Sequence, residues 1–217
     1  MFLMNFKGVK KVQICEQKLD KHNIPKKYLD NKEFSYKLYL NLCNIAFWKY
    51  DKDDKNNNFI EYRLFGYNIT QMSTMFKMSK DTIRKQLKSL PYRDKFDTYE
   101  IDENNTLLLQ YTYTRTKHLM FNSPRSNYTT ISNDILDRLI KLDEMSIRFY
   151  ILLNGMKNKT INNTNQEGIL NYIGYNGKSN NNKNKLTKIV KNLSELKLIT
   201  YDSYYEEGLK RLIYKII

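Results

Sequence analysis

Apolar residues recur at helical spacing through residues 69–90, ITQMSTMFKMSKDTIRKQLKSL, and the rhythm breaks once. Met72, Met75 and Phe76 share one face of a short helix that Thr70 can cap. Lys77-Met78-Ser79 makes a turn, and Ser79 can cap a second helix over 80–90. Ile83, Leu87 and Leu90 fall on one face of it, and Lys80, Thr82, Arg84, Lys85 and Lys88 on the other. Two short helices joined by a tight turn, the second apolar inside and basic outside, have the form of a helix-turn-helix. An ordinary αα-hairpin with a solvated basic face has the same spacing.

The flanking patterns place this unit. Phe34, Leu38, Leu42 and Ile45 form an apolar stripe, broadened by Tyr39, Ala46 and Trp48, that predicts a helix over 34–50. A polar loop at 51–58 and a short strand at 59–65 follow. Pro91 stops the basic helix. Alternation then predicts strands over 96–101 and 107–114, with Asp102-Glu103-Asn104-Asn105 as their turn. Helix, short strand, two helices and a β-hairpin is the order of a winged helix. Residues 5–28 carry no decisive period: Val9, Val12 and Ile14 fit a strand or a short basic helix.

The order then restarts after FNSPRSN (121–127), which has linker composition. SIRFYILL lies on SYKLYLNL at an offset of 111 (146 against 35), with Arg148 on Lys37. Ile131 and Leu136 match Ile24 and Leu29 at 107 (131 against 24). A second helix pair is expected downstream. A short helix over 166–173 turns Ile169, Leu170 and Ile173 inward, Gly174-Tyr175-Asn176-Gly177 turns the chain, and a basic amphipathic helix spans 183–196. Its Leu186, Val190 and Leu193 match Ile83, Leu87 and Leu90 at 103 (186 against 83), with Lys183, Lys185, Lys188 and Lys191 opposite. A hairpin begins at 198–201, turns at Glu206-Glu207-Gly208 and returns over 209–217. The expectation is an α+β, mainly helical chain of two tandem winged-helix domains, 1–122 (with an extension, 1–23) and 123–217.

Charge narrows the partner. Lys and Arg number 37 against 23 acidic residues, a net +14, which favours a polyanion, nucleic acid first and an acidic membrane surface second. A lysine- and asparagine-rich composition inflates that number, yet it does not by itself gather basic residues on two helices. Cys15 and Cys43 have no metal-ligand spacing and fit a reducing cytoplasm. Phe2-Leu3-Met4 is too short for a signal peptide, and no stretch approaches a membrane span. The sequons at 68–70 and 127–129 are expected by chance in an Asn-rich chain.

The arrangement resembles the tandem winged-helix replication initiators of plasmids and phages. The likeness lies in the entries NIPKKYLD and TTISNDILD, the helix SIRFYILLNGM, the unit ITQMSTMFKMSKDTIRKQLKSL and the run LTKIVKNLSELKLITYD, over about 24–217. Phage and plasmid transcription regulators and primosome loaders share the pattern. The resemblance implies sequence-specific binding of duplex DNA at an origin or operator. The chain departs from many initiators in having no third domain and no recognisable ATPase or nuclease part.

Other chemistry is set aside residue by residue. The acidic run at 51–54 fails as a calcium loop, because Asn56 replaces the turn glycine and Tyr62 the final glutamate. His22 and His118 are the only histidines, with no Cys-His grouping to hold zinc and no histidine cluster of the kind that accompanies a tyrosine nucleophile. No glycine-rich phosphate loop is present. The chain therefore reads as a non-enzyme needing no metal or nucleotide cofactor. Its expected partners are double-stranded DNA and, beyond it, a second copy or replication proteins, with no membrane. The DNA-contact candidates are Lys80, Arg84, Lys85 and Lys88 on the first basic helix and Lys183, Lys185, Lys188 and Lys191 on the second. Thr82 and Asn184 stand near base edges, Asn104 and Asn105 on the first wing, and Arg115, Lys117 and Arg125 near the linker. The second wing turn is acidic and would repel phosphate. A protein-interaction role for the same fold remains the alternative.

Overall fold

The computed structural model describes residues 19–50, 60–65, 69–89, 99–101, 107–109, 118–122, 124, 126–162, 165–206 and 209–217. The chain is mixed α+β. In the first half, strand β1 (Lys21–Pro25) leads to helix α1 (Tyr36–Ile45), whose N-cap Ser35 accepts the Leu38 N–H at 3.1 Å. The helix does not continue to 50. Ala46 is extended, and β2 (Phe47–Tyr50) pairs antiparallel with β3 (Ile60–Phe65), Phe47 opposite Arg63. Phe47, Trp48 and Tyr50 are strand formers, and a ladder partner outweighs the helical spacing of their apolar positions.

Helix α2 (Ile69–Phe76) begins one residue before Thr70, so Thr70 is not its cap; the Thr70 carbonyl accepts from Thr74 Oγ1 at 3.2 Å. Helix α3 (Lys80–Ser89) does begin at Ser79, whose hydroxyl accepts the Thr82 N–H at 3.1 Å. Of the expected first hairpin, β4 (Tyr99–Ile101) and β5 (Leu107–Leu109) pair with Tyr99 opposite Leu109; the rest of that hairpin lies outside the described residues. On the edge away from β2, β3 pairs with β6 (His118–Asn122), which the sequence pattern did not reveal.

The second half follows the expected order more closely. Strand β7 (Tyr128–Ser132) enters α4 (Asn133–Leu139), then come α5 (Glu144–Asn154) and β8 (Thr160–Asn162). Helix α6 (Gln166–Tyr172) precedes α7 (Asn180–Glu195), which starts three residues ahead of 183 because Ser179 caps it. β9 (Ile199–Glu206) and β10 (Leu209–Ile216) form the final hairpin. β10 lies between β8 and β9 in a three-stranded sheet.

The halves share one core. β1 and β7 form an antiparallel pair with an exchange symmetry: the pair His22–Ile131 becomes Ile24–Thr129 when the strands are swapped, Lys21–Ser132 becomes Pro25–Tyr128, and Asn23–Thr130 maps onto itself. Thr130 Oγ1 donates to Asn23 Oδ1 at 3.1 Å at that central position. The matching offset is the one relating Ile24 to Ile131, so the repeat in the sequence is also a local twofold in space. Helix α5 is buried from Met145 to Asn154 around its whole circumference, and α1 is buried almost as fully, which makes them the central helices. The Tyr36 hydroxyl donates to the Pro25 carbonyl at 2.6 Å and the Tyr39 hydroxyl to Asn23 at 3.3 Å, tying α1 to β1.

Candidate nucleic-acid interface

Helix α3 buries Ile83 and Leu87 and leaves Lys80, Thr82 and Lys85 exposed, with Arg84 half-buried. Lys88 belongs to the same helix. Its charges are not all free for a ligand. Arg84 Nη1 donates to Asp81 at 2.7 Å, and the Thr82 hydroxyl lies 2.7 Å from that of Ser79 within the cap. A partner touching Thr82 or Arg84 must share or replace these bonds.

Helix α7 buries Leu186, Ile189, Val190 and Leu193. Asn184, Lys185, Lys188 and Lys191 are exposed and Lys183 half-buried. Lys191 Nζ stands 3.9 Å from Glu195 Oε1, both well exposed, a contact that solvent screens heavily. The sequence-derived candidates whose side chains are described therefore lie on the side of each helix opposite its buried residues; the side chain of Lys88 is outside the description. Asn104, Asn105, Arg115, Lys117 and Arg125 lie outside the described residues. On β9, an edge of its sheet among the described residues, Tyr201 and Tyr205 are 49% and 75% exposed. Sequence reading passed over them, although the alternation in ITYDSYYE carries the signal.

The two halves are joined through a buried arginine and its carboxylate partner, neither of which the sequence pattern singles out for a role. Arg148, aligned above with Lys37, is 3% exposed. Its Nε donates to Glu144 at 2.9 Å, its Nη1 to the carbonyls of Tyr28 and Leu29, and its Nη2 to those of Asn31 and Phe34. All five guanidinium donors are used. Its plane also lies over Tyr36, 5.3 Å from the ring centroid. Glu144 accepts from Arg148, from Ser35 Oγ at 3.1 Å, and from the Tyr36 and Lys37 N–H groups, both at 2.9 Å. A carboxylate of the second half thus sits at the N-terminus of α1 in the first, where the helix dipole favours it. The signal available in sequence was an acid and a base four apart, with the base inside an otherwise apolar run.

A cleft of about 420 Å³ opens beside this network, lined by Lys32, Gln86, Glu144, Arg148, Tyr175 and Asn182 among others. It lies between α3 and the α6–α7 turn. The ion pair on its wall is already saturated by hydrogen bonds within the protein, which leaves Lys32 as the charged side chain of the lining outside that network. Burial pushes the Tyr175 phenol above its ordinary pKa, against the opposing pull of Arg148. Tyr150 and Tyr214 are pushed up to about 12 by burial, with Arg138 opposing at Tyr150.

Among the described residues no three His, Cys, Asp or Glu side chains gather as metal ligands, and no helix is long and apolar enough to cross a membrane. No protein-family model, curated protein or solved structure matches the chain.

Proposed function

We propose that this chain is a sequence-specific double-stranded DNA-binding protein, a plasmid or phage replication initiator that reads origin repeats with two winged helices. The observation that carries the reading is the recurrence, in each half, of a two-helix unit whose second helix buries one apolar face and exposes a basic one. The sheet order in the second half, with the last strand between β8 and β9, supports a winged helix there. A net charge of +14 supports a polyanionic partner.

In this mechanism α3 and α7 enter the major groove and Lys80, Arg84, Lys85, Lys183, Lys185 and Lys188 contact phosphates and base edges. The two helices differ in sequence, so the half-sites are unlike, separated by about 10 base pairs if both face the same side of the duplex. No step of this mechanism uses a metal or nucleotide, so binding should persist under chelation. A transcription regulator would use the same interface at a promoter.

Footprinting on a duplex selected from a random pool tests the reading. Neutralising Arg84 and Lys85 should erase one half of the footprint, and neutralising Lys185 and Lys188 the other. Each should cost about 1–3 kcal/mol where a base contact is lost. A second reading has its own observation: the exposed Tyr201 and Tyr205, beside an acidic hairpin turn, fit a protein partner for the second half. It requires the Lys185/Lys188 variant to keep footprint and affinity.

A further inference from the structure

We propose that Arg148, with Glu144 and Gly174, is a positioning residue that fixes the separation of the two DNA-reading helices and so selects the spacing between half-sites. The inference rests on the DNA-binding reading for its consequence, but not for its geometry.

Three contacts converge on the loop at 28–34. From one side, Arg148 reaches out of α5 and donates to four of its carbonyls, those of Tyr28, Leu29, Asn31 and Phe34. At its end, Glu144 holds the start of α1 through Ser35, Tyr36 and Lys37. Against it also lies the α6–α7 turn. Gly174 has φ +83, and a Cβ there would stand 2.7 Å from the Asp30 carbonyl oxygen. The same turn leads into α7. The loop therefore takes its position from α5 and from the segment that launches the second basic helix, while α1, which follows it, belongs to the first half.

The network is closed in a chemical sense. Arg148 has no donor left, and Glu144 accepts at all four of its ordinary acceptor sites. A closed buried network has one satisfied arrangement, and any displacement of the halves strands several buried polar groups at once. Two helices joined only by a tether would tolerate a range of half-site spacings. Gln86 of α3 and Asn182 of α7 line one cleft with Glu144 and Arg148, and two helices referenced to one saturated network tolerate one spacing.

The test uses the full chain with Cys15→Ser and Cys43→Ala, spin-labelled through Met75→Cys on α2 and Tyr172→Cys on α6, both native residues being exposed. Arg148→Lys keeps the charge but offers three donors instead of five, so it cannot hold all four carbonyls and Glu144 together. The label-to-label distance distribution should be narrow in the parent and broad in Arg148→Lys, well below the unfolding temperature. A residue that only stabilises the core would lower that temperature and leave the width unchanged. On duplexes whose half-site spacing is altered by one base pair, the parent should lose about tenfold in affinity, the scale of a modest coupling between sites, and Arg148→Lys should discriminate far less.

Gly174→Ala acts on the other side of the loop without touching the ion pair. It should shift the mean distance, and it decides the matter if Arg148→Lys does not fold. Parent-like distances in every folded variant overturn the proposal. So does undiminished spacing discrimination in Arg148→Lys. A parent that binds no duplex, with distances that still broaden in Arg148→Lys, overturns the DNA reading and leaves the coupling of the halves standing.

Discussion

In the first helix pair α2 and α3 meet across residues 77–79, and α3 has 10 residues; in the second, residues 173–179 separate α6 from a 16-residue α7. The second helices of the two pairs bury the same apolar spacing, Ile83 and Leu87 in α3 and Leu186 and Val190 in α7, whereas in α2 Met72 and Phe76 are buried and Met75, expected beside them, is exposed. The first turn puts Lys77 at φ 53, while the second puts a glycine at φ 83 and packs it on Asp30. The central helices differ likewise. Arg148 is buried and saturated, whereas its counterpart Lys37 is only half-buried. Glu144 caps α1, whereas its counterpart Glu33 is exposed. An apolar repeat is thus enough to reproduce the helices, while the junction between copies is written in polar residues that only one copy carries.

The largest test of that asymmetry compares Arg148→Ala with Lys37→Ala. Removing Arg148 takes the counter-charge from Glu144 and the side-chain donors from four carbonyls, and should cost about 3–5 kcal/mol. Lys37→Ala should stay within about 0.5 kcal/mol. Urea unfolding of the pair measures both, and equal losses would erase the distinction. Next is Gly174→Ala, which forces a side chain into left-handed backbone against Asp30 and should destabilise by about 1–3 kcal/mol. Lys77→Gly, at the matching turn, should do the reverse by less than about 1 kcal/mol, because it relieves the same backbone conformation. Thermal melts distinguish the signs.

Alkaline titration probes the second half through Tyr150 and Tyr214. Their folded pKa, about 12, lies above the ordinary value of 10.0. The stability this confers is fully present below pH 10 and is lost as pH rises toward 12, since the unfolded chain releases those protons first. The phenolate absorbance that Tyr150→Phe and Tyr214→Phe remove from the parent's titration should appear in step with loss of helix; its appearance near pH 10 with the fold intact would contradict this. The smallest effect is expected on the exposed face of α7. Glu195→Ala removes a screened partner of Lys191 and should change stability by less than about 0.5 kcal/mol.

Much of the α3 and α7 architecture was legible because amphipathic helices announce themselves locally: Ile83, Leu87, Leu186, Val190 and Leu193 are buried as their spacing requires. Ser79 and Ser179 cap as their chemistry allows. What was not legible depends on partners far away in sequence. The run 47–50 has helical spacing, yet it pairs with β3. β6 is a strand because β3 is beside it. Arg148 reads as one more base until its carbonyl partners, 114–120 residues upstream, are in place. Thr82 stands among the expected base-edge contacts, yet its hydroxyl lies 2.7 Å from that of Ser79 in the cap of its own helix.

The salt dependence of duplex affinity bears most directly on the central claim that the two basic faces bind DNA. Each phosphate neutralised releases counterions, so log affinity should fall linearly with log salt, with a slope of roughly −5 if about six phosphates are contacted. Neutralising Arg84 with Lys85, or Lys185 with Lys188, should each flatten that slope by about 2. Weak binding that is indifferent to salt, with the same slope in both variants, would contradict the account.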